Sequence, residues 1–300
     1  MTLLLVDAAN LYFRAFYGVP ESVTSPDGRP INAVRGFLDM TATLIQRRRP
    51  ARFVACLDLD WRPAFRVSLI PSYKAHRLAP DGREAIPDKL VPQIPVLLDV
   101  LRALGLATGG ADGFEADDVI AALAARDDDP CEIVSSDRDL IALATDRVRV
   151  LYVGRGVARF EVIGPDQVRA KYGVPPERYP DLAALRGDPS DGLPGVAGIG
   201  ERTAAALVNR FGPVEQVVAA ARAGQDGFPP GTVAKIVAAA DYLAKVPAVV
   251  RGRTDAPVPE LADELPTEPA DPATLVELAD RYGLDPSVNR VLNAIKRALG

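Results

Sequence analysis

The sequence contains only one histidine, His76, and two cysteines, Cys56 and Cys131, among its 300 residues. The chain therefore has almost no histidine from which to build a Ser-His-Asp triad or a histidine-rich zinc site. Both cysteines fall within apolar segments, where a free cysteine behaves as a small hydrophobic side chain. We expect neither a disulfide nor thiol catalysis.

Long hydrophobic runs are also missing. No uninterrupted apolar stretch approaches the ~18 residues that a membrane span needs, and the N-terminus leads directly into an apolar segment without a basic leader. We therefore expect no membrane association and a cytoplasmic location. With 48% hydrophobic and 25% charged residues, the composition is that of a globular protein with a sizeable core.

Basic and acidic residues are separated along the chain, although the net charge is only -5. Acidic residues dominate between positions 110 and 146, whereas basic residues dominate between positions 45 and 78. The basic ones are Arg47, Arg48, Arg49, Arg52, Arg62, Arg66, Lys74 and Arg77. Binding of a polyanion beside a metal-charged acidic pocket requires such a separation. Solvated surface residues would also produce such a separation of charge. For the arginine run before Pro50, this explanation is at least as good, because basic residues at an expected helix end complement the helix dipole.

Alternating strand and helix patterns predict an α/β fold with a mostly parallel central sheet flanked by helices over residues 1–180. Expected strands cover residues 3–6, 52–57, 132–135 and 147–153, and expected helices cover 33–46, 96–106 and 115–126. The first helix is expected to follow the first strand after a loop. Residues 73–95 carry four prolines among mixed charges, which predicts an exposed loop or short broken helices that could act as a flexible cover.

The character of the chain changes near residue 181. Glycine and proline turns precede an alanine-rich helix at 201–211, and helical patterns continue to about residue 250, which predicts a helical subdomain at 181–255. Residues 256–300 are expected to form a proline-rich and acid-rich connector followed by two short helices, at 273–282 and 286–299.

A series of carboxylates follows the expected strand ends and tight turns. Its members are Asp7, Asp58, Glu115, Asp117, Asp118, Asp137, Asp139, Asp188 and Asp191. Helix capping explains one such residue per helix, but it does not explain pairs and triplets at three separate turns. If the carboxylates converge, like charges ~4 Å apart repel by roughly 4 kcal/mol at an effective dielectric of ~20, so bound cations are needed. Oxygen-only ligands favour Mg²⁺ or Mn²⁺ over zinc.

Two such ions can hydrolyse a phosphodiester without a side-chain general base, which suits a chain with one histidine. Basic residues near Lys74 could then stabilise charge on the phosphate, while Arg14, Arg62 and Arg66 could hold the backbone of a nucleic acid. The turn at residues 193–200 contains Gly195, Gly198 and Gly200 before a helix, as in phosphate-binding turns. A dinucleotide site is disfavoured because no strand precedes these glycines, whereas a plain helix-helix turn stays open.

Taken together, these motifs resemble the bacterial and phage 5'-3' exonuclease and flap endonuclease family, which includes the N-terminal domain of DNA polymerase I. The matching elements, in order, are Val6-Asp7 with Asn10-Leu11 and Arg14, Leu57-Asp58 with Phe65-Arg66, Tyr73-Lys74 with Arg77, Glu115-Ala116-Asp117-Asp118, Asp137-Arg138-Asp139-Leu140, and the run from Gly187-Asp188 through Asp191 to Gly200. Ala8, Ser136 and Gly192 depart from the family pattern. None of these departures removes a carboxylate.

The resemblance implies a PIN-like 5' nuclease fold with a helix-hairpin-helix-like DNA-binding subdomain. It implies a divalent-metal-dependent 5' nuclease that acts on DNA with 5' flaps, nicks or 5' ends in replication and repair, beside a separate DNA polymerase and ligase. It also implies two or more Mg²⁺ or Mn²⁺ ions, with a potassium ion at the glycine turn. Because the chain ends at residue 300, without room for a polymerase, we expect a separate repair enzyme.

The same resemblance implies roles for individual residues. Asp7, Asp58, Glu115, Asp117 and Asp118 match the tighter metal cluster, and Asp137, Asp139, Asp188 and Asp191 extend it toward further ions. Lys74 and Arg77 match the basic residues at the base of a helical arch over about residues 71–95. Together with Asp117 and Asp139, they are the expected catalytic residues. DNA contacts are expected from Arg14, Arg66, Tyr73, Lys74, Arg77, Gly195, Gly198 and Gly200.

Two other functions stay open at this point. The altered turns at Ser136 and Gly192 would suit a non-catalytic DNA-structure-binding protein with a degenerate site. An RNA-cleaving nuclease with a smaller acidic site is the other alternative, but such enzymes lack the helical subdomain expected after residue 190.

Overall fold

The computed structural model describes residues 1–300 and contains one six-stranded sheet of order β3-β2-β1-β4-β5-β6. The strands are β1 (Leu3–Asp7), β2 (Arg52–Cys56), β3 (Ala107–Gly109), β4 (Cys131–Ser135), β5 (Val148–Tyr152) and β6 (Glu161–Ile163). Neighbouring strands from β1 to β5 pair in parallel, and only β6 is antiparallel to its neighbour. The prediction of a mostly parallel α/β sheet is confirmed.

Fourteen α-helices surround or extend this sheet. They are α1 (Ala8–Gly18), α2 (Asn32–Arg48), α3 (Ala64–Leu69), α4 (Gln93–Leu104), α5 (Ala116–Arg126), α6 (Pro165–Tyr172), α7 (Tyr179–Arg186), α8 (Glu201–Phe211), α9 (Val214–Arg222), α10 (Thr232–Ala238), α11 (Ala240–Lys245), α12 (Pro247–Val250), α13 (Pro272–Tyr282) and α14 (Asp285–Leu299). No helix combines the length and the apolar character that crossing a bilayer requires.

Both faces of the sheet are covered, because successive side chains of a strand point to opposite sides. Leu3 and Leu5 of β1 belong to a core that contains residues of α5 and α7–α9. Leu4 and Val6 belong to a second core with residues of α1, α2, α4, α13 and α14. The uninterrupted apolar run of β1 follows from this two-sided burial.

Helix α1 occupies a stretch where the sequence predicted a loop, so that prediction is wrong. Asp7 caps the helix by accepting a hydrogen bond from the backbone N–H of Asn10 at 3.0 Å. Leu11 and Ala15, four residues apart, are buried on one face of the helix. This cap and spacing are ordinary helix signals. They place the side chains of α1 directly beside the carboxyl end of β1.

The helical subdomain is joined to the sheet by a continuous core. Leu182 and Leu185 of α7 pack in the same buried cluster as Val119 of α5 and Leu207 of α8. The predicted boundary at residue 180 falls inside α7. The subdomain is therefore held by apolar packing across that boundary.

The C-terminal segment returns to the sheet. The backbone N–H of Phe53 donates to the carbonyl of Asp263 at 2.7 Å, and the side chain of Arg52 pairs with the Asp263 carboxylate at 2.8 Å. Val291 and Ile295 of α14 are buried in the same core as residues of α2. The connector and last two helices thus complete the cover over one face of the sheet.

Candidate active site

The candidate site lies where the order of strands along the sheet reverses. The chain builds outward from β1 to β2 and β3, and it then returns to place β4 on the other side of β1. In open parallel sheets, such a reversal leaves a crevice at the carboxyl ends of the strands. Asp7 ends β1, Asp58 follows β2, and Asp137 follows β4. The fold therefore explains why distant aspartates meet.

A cavity of about 560 Å³ fills this crevice. Its lining residues are Asp7, Ala9, Asn10, Phe13, Arg14, Tyr17, Gly18, Asp58, Lys74, Arg77, Glu84, Glu115, Asp117, Ser136 and Asp137. Eight of these were predicted site residues, namely Asp7, Arg14, Asp58, Lys74, Arg77, Glu115, Asp117 and Asp137. The structure therefore brings together most of the predicted inner site.

Hydrogen bonds orient Asp7 between β1 and β4. Its carboxylate accepts from the Ser135 hydroxyl at 2.7 Å and from the Asn10 backbone N–H. The Asn10 side-chain oxygen in turn accepts from the N–H and the hydroxyl of Ser136, at 3.1 and 2.9 Å. Ser136, which departs from the family pattern, thereby ties the β4 turn to α1.

Glu115 is the most enclosed carboxylate of the cavity wall. Its oxygens accept hydrogen bonds from the Tyr73 hydroxyl at 3.0 Å and from Lys74 Nζ at 2.8 Å. Burial opposes the charge on Lys74, but Glu115, Tyr73 and the nearby aspartates together outweigh it and raise the pKa of Lys74 well above its usual range. Lys74 is thus a fixed cation beside the carboxylates.

Burial and mutual repulsion act on the carboxylates themselves. Burial first, and then the charge of Asp58, raise the pKa of Asp7 to about 7. Burial also raises the pKa of Glu115 to about 7, although Lys74 and Arg66 oppose that rise. Burial and Asp137 raise the pKa of Asp117 well above the usual range. The protein environment alone therefore disfavours the ionised forms of all three carboxylates.

A second acidic group lies beside the first. Burial, followed by the charges of Asp137, Asp191 and Asp188, raises the pKa of Asp139 well above its usual range. Asp191 is mostly buried and pairs with Arg77 at 3.1 Å. Asp188 accepts from the backbone N–H of Ser190 at 2.9 Å. These residues neighbour the cavity without lining it, so they form an outer acidic group next to Asp137.

Arg66 and Asp118 are corrections to the predicted roles. Both side chains are buried, and the Arg66 guanidinium donates to both Asp118 oxygens at 2.7 and 2.6 Å. Asp118 also accepts from the backbone N–H groups of Glu115 and Arg253, at 3.2 and 2.9 Å. Asp118 therefore has no free oxygen for a metal ion, and Arg66 is not exposed to DNA. The pair is structural.

Other predicted DNA contacts are wrong for similar reasons. The Tyr73 side chain is 3% exposed and its hydroxyl is used by Glu115. Arg62 donates to the carbonyls of Tyr73 and Pro71, at 2.6 and 2.7 Å, so it supports the chain rather than a phosphate. The N–H of Gly195 is already bonded to the Tyr242 hydroxyl at 3.2 Å. Burial and local bonding, which motifs do not reveal, occupy these groups.

The glycine turn lies at the N-terminus of α8. Gly198 has a φ of +75° and is exposed, and Gly200 is the exposed N-cap residue. Lys235 of α10 approaches the turn so closely that its Nζ would lie 2.7 Å from a Cβ at Gly198. Free backbone at a helix N-terminus beside a lysine suits an anion. Gly198 and Gly200 therefore stay candidate DNA contacts.

Residues 71–77 are fastened to the turn at 188–192. The backbone N–H of Lys74 donates to the carbonyl of Asp191 at 2.9 Å, and the Ser72 hydroxyl donates to the carbonyl of Gly192 at 2.9 Å. Lys74 adopts a left-handed backbone with a φ of 48°, which is uncommon outside glycine. These bonds hold Lys74 in that conformation and direct it toward Glu115.

Gly192, a departure from the family pattern, is explained by this close approach. It has a φ of +70°, and a Cβ placed there would lie 2.3 Å from the Ser72 carbonyl oxygen. We expect Gly192→Ala to lower the free energy of unfolding by about 2–3 kcal/mol, since strain and overlap add. Gly224→Ala, at a φ of +65° with open space around it, should cost only about 1 kcal/mol. Equal losses in urea titrations of the two variants would contradict this account.

Sequence reasoning did not assign functions to Ser135, Glu84, Phe13 or Tyr17. In the sequence, Ser135 is the last residue of an expected apolar strand, and the adjacent residues do not indicate that its hydroxyl bonds to Asp7. Phe13 and Tyr17 have the four-residue spacing of one helix face, but they lie in a stretch that was predicted to be a loop. Glu84 lies in the segment predicted to be a flexible cover.

No three acidic, histidine or cysteine side chains lie close enough together here to form a closed ligand set. Asp7, Asp58 and Glu115 each bond to a protein donor, the last at 2.8 Å from Lys74 and Asp58 at 2.6 Å from the Ala116 N–H. Mg²⁺ dehydrates reluctantly and usually keeps several waters with one or two carboxylates. An open, carboxylate-lined cavity suits that mode better than it suits a zinc-type cage.

Comparison with known proteins covers nearly the whole chain. The family described as 5'-3' exonuclease, N-terminal resolvase-like domain, matches residues 2–173, and the one described as 5'-3' exonuclease, C-terminal SAM fold, matches residues 174–273. The chain is 50% identical to a 5'-3' exonuclease of Mycobacterium tuberculosis, over 98% of this chain and 97% of that protein. It is 49% identical to a 5'-3' exonuclease of Streptomyces coelicolor, over 97% and 99%.

More distant relatives match part of the chain or its fold. DNA polymerase I of Mycobacterium bovis is 41% identical over 72% of this chain and 24% of that protein. The T5 5'-exonuclease with bound zinc superimposes with a TM-score of 0.67 at 19% identity, covering 98% and 100% of the two chains. A complex of the T5 flap endonuclease with DNA and metal ions gives a TM-score of 0.64 at 17% identity, covering 99% and 100%.

Proposed function

We propose that the cavity is the active site of a structure-specific 5' nuclease, from the premise that this chain belongs to the 5'-3' exonuclease family. The chain is an enzyme that hydrolyses DNA phosphodiesters. The single observation that carries the assignment of the site is the cavity at the strand-order reversal, where Asp7, Asp58, Glu115 and Asp117 face Lys74 and Arg77. That arrangement offers carboxylates for cations and cations for a phosphate in one space.

The site residues fit divalent cations. Burial raises the pKa values of Asp7 and Glu115, so a bound cation would stabilise their ionised forms. The carboxylate ligands offer only oxygen atoms, which hard ions such as Mg²⁺ and Mn²⁺ prefer. We assign two or more ions to this site. The inner residues would be Asp7, Asp58, Glu115, Asp117 and Asp137, and the outer ones Asp139, Asp188 and Asp191. When bound, such ions supply charge neutralisation and activation of water.

The protein's own groups orient the substrate. Arg14 lines the cavity, and its guanidinium makes no hydrogen bond or ion pair within the protein, so the guanidinium is available to a phosphate. Lys74 and Arg77 approach from the residue 71–77 segment, and each can exchange its carboxylate partner for a phosphate. Ser135 and Asn10 keep Asp7 aimed into the cavity. Fixed donors around a developing negative charge favour the transition state.

Duplex DNA is proposed to rest on the helical subdomain. The exposed backbone of Gly198 and Gly200 and the adjacent Lys235 would hold phosphates without reading sequence. We also propose a potassium ion at this turn. The enzyme would act on 5' flaps, nicks and 5' ends in the cytoplasm, on intermediates that a separate DNA polymerase and ligase also use.

Cleavage of a 5'-labelled flap tests this function. The purified protein is incubated with flap, nicked and single-stranded DNA in EDTA, Mg²⁺ or Mn²⁺. Cleavage near the flap junction is expected only with a divalent ion, and a matched RNA flap should be cut more slowly. Flap binding without product under every metal would favour a non-catalytic DNA-binding protein, and preferred RNA cleavage would favour a ribonuclease.

Stability should depend on pH and metal together. The folded-state pKa values of Asp7 and Glu115, about 7, exceed their unfolded values, so the protonated groups favour the folded protein at low pH. This contribution is complete below about pH 4 and is lost as pH rises through about 7. In EDTA, we expect the melting temperature to fall by on the order of 5 °C between pH of about 5.5 and about 8.

Mg²⁺ should reverse this loss, because a cation binds the deprotonated carboxylates of the folded state. Differential scanning fluorimetry at both pH values, with and without Mg²⁺, measures the effect. Asp7→Asn is the informative variant, since it removes one titrating group and should reduce both the fall with pH and the gain with Mg²⁺. A Mg²⁺ gain of the same size at both pH values would contradict the proposal.

A further inference from the structure

The residue 77–85 segment forms a small hairpin at the cavity mouth. The N–H of Ala79 donates to the carbonyl of Arg83, and the N–H of Ala85 donates to that of Arg77, each at 2.8 Å. Gly82 turns the chain with a φ of +80°. The hairpin is ordered by its own backbone bonds, so each of its side chains has a defined direction.

Glu84 is the hairpin residue that faces the cavity. It is half-buried and lines the same space as Asp58 and Asp117. Burial, followed by the charge of Asp58, raises the pKa of Glu84, while Arg77 and Lys74 act against that rise. No hydrogen bond or ion pair within 4.0 Å engages its carboxylate. By contrast, Asp81 at the hairpin tip pairs with Arg83 at 2.9 Å.

The charge balance of the cavity lining indicates what Glu84 does there. The lining contains six acidic residues, Asp7, Asp58, Glu84, Glu115, Asp117 and Asp137, and three basic ones, Arg14, Lys74 and Arg77. Lys74 and Arg77 are already paired with carboxylates, at 2.8 and 3.1 Å. A DNA phosphate that enters without divalent ions therefore meets a net negative space. Five of the acids follow strand ends or begin α5, and Glu84 alone comes from the hairpin at the cavity mouth.

We propose that Glu84 is a specificity-determining residue that makes entry of the DNA backbone depend on bound divalent cations. The inference rests on the proposed function of this cavity. Glu84 repels a phosphodiester from the cation-free enzyme, so DNA is not held where it cannot be cleaved. Divalent ions at the sheet end offset the charge and admit the phosphate. The effect acts at long range through the electrostatic field, so it requires no direct contact between Glu84 and DNA.

Binding of a fluorescent 5'-flap DNA to the full chain, with EDTA or with Ca²⁺ as a divalent probe, tests this role. Glu84→Gln removes the charge at nearly constant shape. It should bind the flap about 5- to 10-fold more tightly than the native chain in EDTA, mainly through a faster association rate. In saturating Ca²⁺ the advantage should shrink below about 2-fold, because the cations already offset the charge.

Asp88→Asn is the matched control. Asp88 lies in the same 71–95 segment, is exposed and lies outside the cavity lining, so its loss changes the net charge equally. If both variants tighten binding equally, the effect is one of net charge and the inference fails. If Glu84→Gln instead weakens Ca²⁺ or Mg²⁺ binding in calorimetry, Glu84 holds a cation and the inference also fails. Cleavage of the flap by the native chain, assayed in parallel, separates either failure from failure of the proposed function.

Discussion

Asp117→Asn is expected to lower the cleavage rate constant of a 5' flap by at least about 10³-fold, the scale on which a preorganised charge in an active site acts. Asp117 lines the cavity, and no protein donor is bonded to its carboxylate, in contrast to Asp7, Asp58 and Glu115. Burial and the charge of Asp137 raise its pKa, so ionisation there costs free energy that a bound cation would repay. Asparagine keeps the shape and removes the charge.

The folding and binding readouts separate catalysis from structure. Because Asp117→Asn relieves repulsion, its melting temperature in EDTA should equal or exceed that of the native chain. Flap binding should stay within about tenfold, since phosphate contacts are spread over many groups. Asp112→Asn, an exposed aspartate just before the same helix, is the control and should keep its activity. Cleavage by Asp117→Asn within tenfold of the native rate would remove Asp117 from the site.

Arg66→Met is expected to destabilise the protein by about 3–5 kcal/mol, because it leaves the Asp118 carboxylate buried without a counter-charge. The Arg66 and Asp118 side chains are 3% and 0% exposed, and Arg66 also donates to the carbonyl of Val249 at 2.9 Å. Removing one partner of such a pair lowers stability by far more than the intact pair contributes to it. Urea denaturation near neutral pH measures the loss.

Two further variants make this prediction specific. Adding Asp118→Leu to Arg66→Met should recover part of the loss, because the unpaired charge is then gone. Arg62→Met, whose guanidinium is less buried and bonds only to carbonyls, should cost about 1 kcal/mol. If Arg66→Met instead keeps full stability and loses DNA affinity, Arg66 contacts DNA and the structural assignment is wrong.

Much of the fold was predictable because the sheet is buried on both sides. Short apolar runs such as Leu3–Val6 of β1, separated by helical periodicity, predict parallel strands without reference to any relative. Helix α1 was missed although Asp7 and Leu11 supply a cap and a buried position. The strand β3, of three residues, is too short to leave a pattern.

The candidate site was predictable in its composition but not in its internal pairing. Sequence order places Asp117 and Asp118 side by side, and only the helix geometry separates them: one faces the cavity and the other is turned toward Arg66. Likewise, the motif around Lys74 contains three residues of apparently similar role, of which Tyr73 is buried. Burial arises from contacts far along the chain, and local patterns do not contain that information.

The return of the C-terminal helices has a consequence for synthesis of the protein. One face of the sheet, including Leu4 and Val6, is covered partly by α13 and α14, which the ribosome makes after all six strands and α1–α12. While these residues are still inside the exit tunnel, apolar side chains of α2 such as Leu38 and Ile45 lack some of their packing partners. Exposed apolar surface of this kind promotes aggregation and recruits chaperones. The nascent chain should therefore be most vulnerable in the interval before α13 and α14 emerge, when its catalytic residues have long been translated.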